Sequence, residues 1–191
     1  MNVKLKDVAD IKFCLTGNQK EKSEMQIKWL TSPNLTEDNT VDGFTEDDRY
    51  VADESVRISK GDIVIKRISP SYVNYIDSID DDIYAGNNLI LIKQRDNVDS
   101  KYLAYILNDN IKKIADASIG ATIPAIGRAE LEGLNIPLLP LDKQVSLGAL
   151  WYSNIELKKL RRRLTELEVI KTKYIIDNYL RNNIGGKENG K

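Results

Sequence analysis

The sequence predicts an α+β fold: a mixed β-sheet domain followed by one long, coiled-coil-like C-terminal α-helix. Three observations predict it. Short β-rich runs mark the first hundred residues, with Ile63 to Ile68 and Leu89 to Ile92 the most apolar. The apolar spacing then changes to a helical period after Ser100. From Lys143 to Asn183 there is no proline, and Gly148 is the only glycine. Such a stretch permits a helix of about 40 residues, about 60 Å long. With 191 residues, 41% of them apolar, the chain can bury one sizeable core and carry an appendage.

Taken in order, Val3, Leu5, Ile11 and Phe13 alternate loosely and suggest short extended pieces. Residues 16–26 are polar and read as a loop. Ile27-Lys28-Trp29-Leu30 is a short strand, and Ser32 to Asp48 is rich in turn residues. Lys60-Gly61-Asp62 turns the chain into the strand beginning at Ile63, which Ser69-Pro70-Ser71-Tyr72 breaks. Leu89-Ile90-Leu91-Ile92 is apolar without alternation, as in a strand buried on both faces. Ser100 is placed to cap a helix bearing Tyr102, Leu103, Ile106, Leu107, Ile111 and Ile114. Pro137 and Pro140 exclude a helix between Leu134 and Leu141 and favour an extended edge. Asp142 then reads as the N-cap of the long helix. The expected division is a domain over 1–141, a helix over 142–184 and a disordered tail over 185–191.

Composition excludes much chemistry. There is no histidine and one cysteine, Cys14, so no Ser-His-Asp or Cys-His constellation, His-ligated metal or internal disulfide can form within the chain. Cys14 reads as a small buried hydrophobe. No segment approaches the length of a membrane span, and Met1 to Lys6 lacks an apolar signal region. A cytoplasmic protein is expected. The net charge of −1 hides an asymmetry: residues 142–191 carry 11 basic and 6 acidic side chains, against 17 and 23 over 1–141. No glycine-rich phosphate loop occurs. Ser69-Pro70-Ser71-Tyr72 approaches the Pro-Pro-aromatic turn of amino-methyltransferases, but Ser71 replaces the second proline and no cofactor loop precedes it. Nothing singles out a catalytic group.

The order of features resembles the DNA specificity subunit of type I restriction–modification systems. The resemblance runs from Val3-Lys4-Leu5-Lys6-Asp7-Val8-Ala9 through Lys60-Gly61-Asp62-Ile63-Val64-Ile65 and Asn87-Asn88-Leu89-Ile90-Leu91-Ile92. It continues through Tyr102-Leu103-Ala104-Tyr105-Ile106-Leu107, Ser118-Ile119-Gly120-Ala121-Thr122 and Leu134-Asn135-Ile136-Pro137-Leu138-Leu139-Pro140-Leu141 with Gln144, to the long helix. In that family the full-length subunit carries two target-recognition domains, each followed by a long helix, and the two helices pack antiparallel. This chain looks like half of one. The resemblance implies a non-catalytic subunit that reads one half of a bipartite site in double-stranded DNA. Methyl transfer from S-adenosylmethionine and any ATP/Mg-driven cleavage would then reside in methyltransferase and restriction subunits, with no cofactor in this chain. It also implies a homodimer reading an interrupted palindrome. The alternative is a protein-interaction module that binds or competes for restriction–modification subunits without touching DNA.

Groups that read base edges and phosphates are Arg, Lys, Asn, Gln, Ser and Thr on loops. The first candidate loop carries Thr16, Asn18, Gln19, Lys20 and Lys22; the second carries Lys66, Arg67, Ser69, Ser71, Tyr72 and Asn74; the third carries Ser118, Gly120 and Thr122. Arg67 stands out because a strand end aims its fork rigidly. On the helix, Leu157, Leu160, Leu164, Leu167 and Tyr174 share one heptad seam, with Lys171 the polar exception. They are the expected dimer or partner face. The run Lys158 to Arg163 suits either DNA phosphates or a partner subunit.

Overall fold

A computed structural model describes residues 1–14, 27–47, 54–79, 82–117 and 125–184. The strands are β1 (Asn2–Lys4), β2 (Ala9–Cys14), β3 (Ile27–Leu30), β4 (Thr45–Asp47), β5 (Ile63–Lys66), β6 (Val73–Tyr75), β7 (Ile83–Ala85), β8 (Leu89–Gln94) and β9 (Asn135–Pro137). The helices are α1 (Leu5–Val8), α2 (Ser100–Ala117), α3 (Arg128–Glu132) and α4 (Leu141–Ile184). The fold is α+β. Its main sheet has the order β2-β8-β5-β6, antiparallel throughout. A second sheet, β4-β3-β7, is mixed, because β3 runs antiparallel to β4 and parallel to β7. β1 and β9 form a small antiparallel pair.

The main sheet is covered on both faces, which is why β8 is apolar without alternation. Phe13, Ile63, Ile65, Ile90 and Ile92 join a core with Leu103, Leu107 and Ile111 of α2. Cys14, Val64, Leu89 and Leu91 join another with Trp29, Leu30, Ile83 and Tyr84. Cys14 is buried within it.

Two details depart from the sequence reading. The run expected as extended from Val3 contains the four-residue helix α1. Leu5 and Val8 lie three apart, both buried, and the Lys4 amide donates to Asp7 Oδ2 at 3.3 Å. One turn is too short to display a helical period. The caps also move by a residue or two. Asp99, not Ser100, caps α2, its Oδ1 accepting from the Tyr102 amide at 2.8 Å. Pro140, not Asp142, stands before α4: its carbonyl accepts from the Lys143 and Gln144 amides at 3.0 and 3.1 Å.

By its contacts the chain divides into Met1–Ser153 and Asn154–Lys191. The first turns of α4 therefore belong with the sheet domain. Gln144 explains part of this. It is 1% exposed. Its Nε2 donates to the Leu139 and Asn97 carbonyls at 2.8 and 3.2 Å, and its Oε1 accepts from the Asp99 amide at 3.1 Å. Gly148 sits so close to α2 that a Cβ there would lie 2.4 Å from Asp99 Oδ1 and 2.6 Å from the Tyr102 amide nitrogen. Lys101 Nζ lies 4.2 Å from the Tyr152 ring centroid and 5.5 Å from that of Tyr75. The second unit is the rest of α4, whose described end is Ile184. The tail 185–191 lies outside the described residues, as do the first and third candidate loops.

Candidate nucleic-acid interface

Thr16, Asn18, Gln19, Lys20, Lys22, Ser118, Gly120 and Thr122 fall in 15–26 and 118–124, outside the described residues. One described stem of each of these loops lies at the same end of the main sheet as the second loop. Cys14 closes β2 just before the first loop, Arg67 follows β5 and opens the second, and Ala125 follows the third. The Asn88 amide donates to the Cys14 carbonyl, the Arg67 amide to the Asn88 carbonyl and the Ile126 amide to the Arg67 carbonyl, each at 3.0 Å. Ile68 and Ala125 add an antiparallel bridge. A continuous backbone ladder, Cys14–Asn88–Arg67–Ile126, thus ties the roots of all three loops together.

Lys66 and Arg67 sit within this cluster. Lys66 ends β5, and its Nζ lies 5.1 Å from the Tyr72 ring centroid. Arg67 is half-buried, with Nε donating to the Ile126 carbonyl at 3.3 Å. That bond orients the guanidinium while using one of its five donors. Ser69 is exposed, the Ser69–Pro70 peptide is cis, and Ser71 Oγ lies 3.5 Å from the Arg67 carbonyl oxygen. Nearby, the Arg128 guanidinium stacks 4.5 Å from the Phe13 centroid and pairs with Glu132 at 2.9 Å. Asn74 differs from the other second-loop candidates. It lies within β6, not on a loop, and is completely buried. Neither amide atom has a hydrogen-bond partner among the described residues.

The two ends of the sheet differ in charge pairing. At the far end Lys93 pairs with Asp62 at 2.7 Å and Arg95 with Asp10 at 2.5 Å. At the loop end, among the described residues, neither Lys66 nor Arg67 has a carboxylate within ion-pair distance. Cations left without internal counter-charges are available to an anionic ligand.

Sequence reasoning missed a cleft beside the ladder. Trp29, Thr31, Ser32, Thr45, Asn87 and Asn88 line it. Asn88 belongs to both cleft and ladder, and its backbone is in the left-handed region at φ 62°. Ser32 Oγ is buried there with no hydrogen-bond partner among the described residues. The Ser, Thr and Asn content of 31–45 and 87–88 was the available signal, but it also fits ordinary turns.

On α4, Leu157, Leu160, Leu164, Leu167 and Tyr174 are all exposed. So is Leu150, at 70%, seven residues before Leu157 and on the same heptad position. It extends the seam beyond the range read from sequence. Val169, Ile176 and Leu180 are exposed on the opposite side of the helix.

The profile of the type I restriction modification DNA specificity domain matches residues 1–149. The chain belongs to that family. Solved structures share the fold of this specificity-family chain. One, from a study of complex assembly and conformational transition of the type I R-M system, is 18% identical with a TM-score of 0.57, covering 90% of this chain and 43% of its own. The HsdS subunit from Thermoanaerobacter tengcongensis is 18% identical with a TM-score of 0.53, covering 83% and 37%. The type I restriction–modification S subunit from M. genitalium is 14% identical with a TM-score of 0.58, covering 91% and 44%. The chain spans less than half the length of each. Among the described residues, no helix is long and apolar enough to cross a membrane.

Proposed function

We propose that this chain is a sequence-specific DNA-binding specificity subunit of a type I restriction–modification complex. It reads one half of a bipartite target through the loop end of its main sheet. The observation that carries the reading is the ladder Cys14–Asn88–Arg67–Ile126. It ties together stems of three loops of base-reading composition beside Lys66 and Arg67, which among the described residues have no carboxylate within ion-pair distance. Arg67 supplies direct readout and Lys66 a phosphate contact. The subunit performs no chemistry of its own; methylation and cleavage belong to the subunits that it directs.

Two copies restore a two-headed arrangement by pairing through the exposed leucine face of α4, and two identical domains read an interrupted palindrome. The opposite face, with Val169, Ile176 and Leu180, is left for a methyltransferase subunit. The deciding experiment is footprinting of the purified chain with its methyltransferase, joined to methylation mapping in cells with and without this gene. A bipartite, palindromic methylated motif that disappears on deletion supports the reading. Stable capture of the methyltransferase with no footprint and an unchanged methylome favours an interaction module instead. For the seam, Leu160→Asp with Leu164→Asp is expected to halve the mass in solution; an unchanged dimer mass excludes this face.

A further inference from the structure

We infer that the cleft beside the ladder seats one sugar–phosphate unit of the DNA backbone. The inference rests on the DNA-binding reading above and adds a second contact, made to the backbone rather than to a base. The cleft lies at the carboxyl ends of the parallel strands β3 and β7, where the chain leaves Leu30 for Thr31 and Ala85 for Gly86.

Its lining has two kinds of surface. Trp29 and Pro33 are apolar and suit the carbons of a deoxyribose. Ser32, Asn87 and Asn88 bring a hydroxyl and two carboxamides, and no carboxylate lines the cleft among the described residues. On β4, Asp47 shares the face of Thr45, but it stands opposite Ile27 rather than Trp29, about 7 Å back along the sheet.

The donors are unspent. Ser32 Oγ is buried without a hydrogen-bond partner among the described residues. The carboxamides of Asn87 and Asn88 make no hydrogen bond there either. A buried hydroxyl left unpaired is costly, and an entering acceptor recovers that cost. Phosphate oxygens only accept, and Ser, Thr and Asn side chains are among their usual donors. Shape favours the backbone as well. Base edges lie recessed in a groove, whereas a sugar and its phosphate project, as a concave seat requires.

Placement follows from Asn88. It lines the cleft, and its carbonyl accepts from the Arg67 amide at 3.0 Å. Neighbouring strands are about 5 Å apart, which is one to two nucleotide steps of about 3.4 Å. The seat therefore holds the backbone within about two nucleotides of the base pair that Arg67 reads. One contact sets position and the other sets identity.

The test uses the full chain with its methyltransferase, on duplexes in which single phosphates are replaced by uncharged methylphosphonates. Replacement at one phosphate is expected to weaken wild-type binding about tenfold. That phosphate should lie within about two nucleotides of the base pair whose discrimination relaxes in Arg67→Ala. Ser32→Ala and Asn87→Ala should each weaken cognate and altered sites alike, about two- to tenfold. Their salt slope should match wild type, because neutral donors displace no counterions, whereas Lys66→Ala reduces it. On the methylphosphonate duplex the Ser32→Ala loss should shrink, since both changes remove one contact. Urea midpoints check that each variant is folded, and the methylphosphonate series needs no variant to be read. The inference is overturned by the absence of a sensitive phosphate in that window, by wild-type affinity in Ser32→Ala, or by an equal Ser32→Ala loss on both duplexes. Relaxed discrimination at one base pair in Ser32→Ala also overturns it, by making the cleft a base reader. Intact discrimination in Arg67→Ala overturns the placement. A wild-type chain that gives no footprint with its methyltransferase instead removes the DNA-binding reading itself.

Discussion

Replacing Gly148 by alanine tests the joint between α4 and the sheet domain, because two effects of opposite sign compete there. In an open helix interior, Gly→Ala stabilises by about 1 kcal/mol. Here the added Cβ would stand 2.4 Å from Asp99 Oδ1, 2.6 Å from the Tyr102 amide nitrogen and 2.9 Å from Lys101 Cβ. The first two atoms are themselves hydrogen-bonded to each other as the α2 cap, so neither moves without loss. A carboxylate cap is worth about 0.5–2 kcal/mol and overpacking about 1–3 kcal/mol. Set against the propensity gain, the balance is a net destabilisation of about 0.5–4 kcal/mol. For a chain of this length that lowers Tm by about 1–16 °C. Urea unfolding followed by far-UV circular dichroism, with the slope checked against wild type, measures it. An unchanged or raised midpoint would refute the claim that Gly148 is required by close approach.

Other outcomes follow from the same geometry. Gln144→Ala removes a buried carboxamide with three recorded partners and leaves the Asp99 amide and two carbonyls without theirs. A loss of about 2–4 kcal/mol in chemical denaturation is expected. Arg67→Ala should weaken binding of the cognate half-site by about 1–3 kcal/mol and relax discrimination at one base pair, in competition assays against altered sites. Lys66→Ala should weaken all sequences alike and reduce the salt slope by about 1. Burial raises the Tyr102 phenol above its ordinary value of 10.0, and its hydroxyl donates to the Pro137 carbonyl at 2.6 Å. A phenol with a higher pKa folded than unfolded contributes stability fully below the unfolded value, and loses it as pH rises through the folded one. Stability should therefore fall above about pH 10, and Tyr102→Phe should flatten that fall in urea midpoints taken from pH 8 to 11.

The parts legible in the sequence are those whose signal is longer than one structural repeat. The unbroken run of β8, the helical spacing of α2 and the proline-free length of α4 each announced an element, and each is present. The single turn of α1 and the three-residue strands β4, β6 and β7 are shorter than the windows in which periodicity shows. β6 also carries Asn74, whose residue type suggested a loop. Its place opposite Val64 of β5, in the edge strand of the main sheet, is a long-range fact invisible in local composition. For the interface, residue types pointed to three loops, but not to the joining of their described stems. That joining depends on Asn88, an apparent turn residue whose amide and carbonyl both bridge neighbouring stems.

The way α4 is rooted bears on how recognition units can be exchanged between specificity subunits. The last strand ends at Pro137, which suggests a natural cut before the helix. Yet Gln144, Gly148 and Tyr152 complete packing and hydrogen bonds that begin in the segment Asn97–Tyr102. A graft joined at residue 141 would put a foreign helix base into a socket shaped for this one. A junction after Ser153 carries plug and socket together. The portable unit is thus the sheet domain with its own helix base, and a chimera's fitness should depend more on where it is spliced than on how similar the two recognition surfaces are.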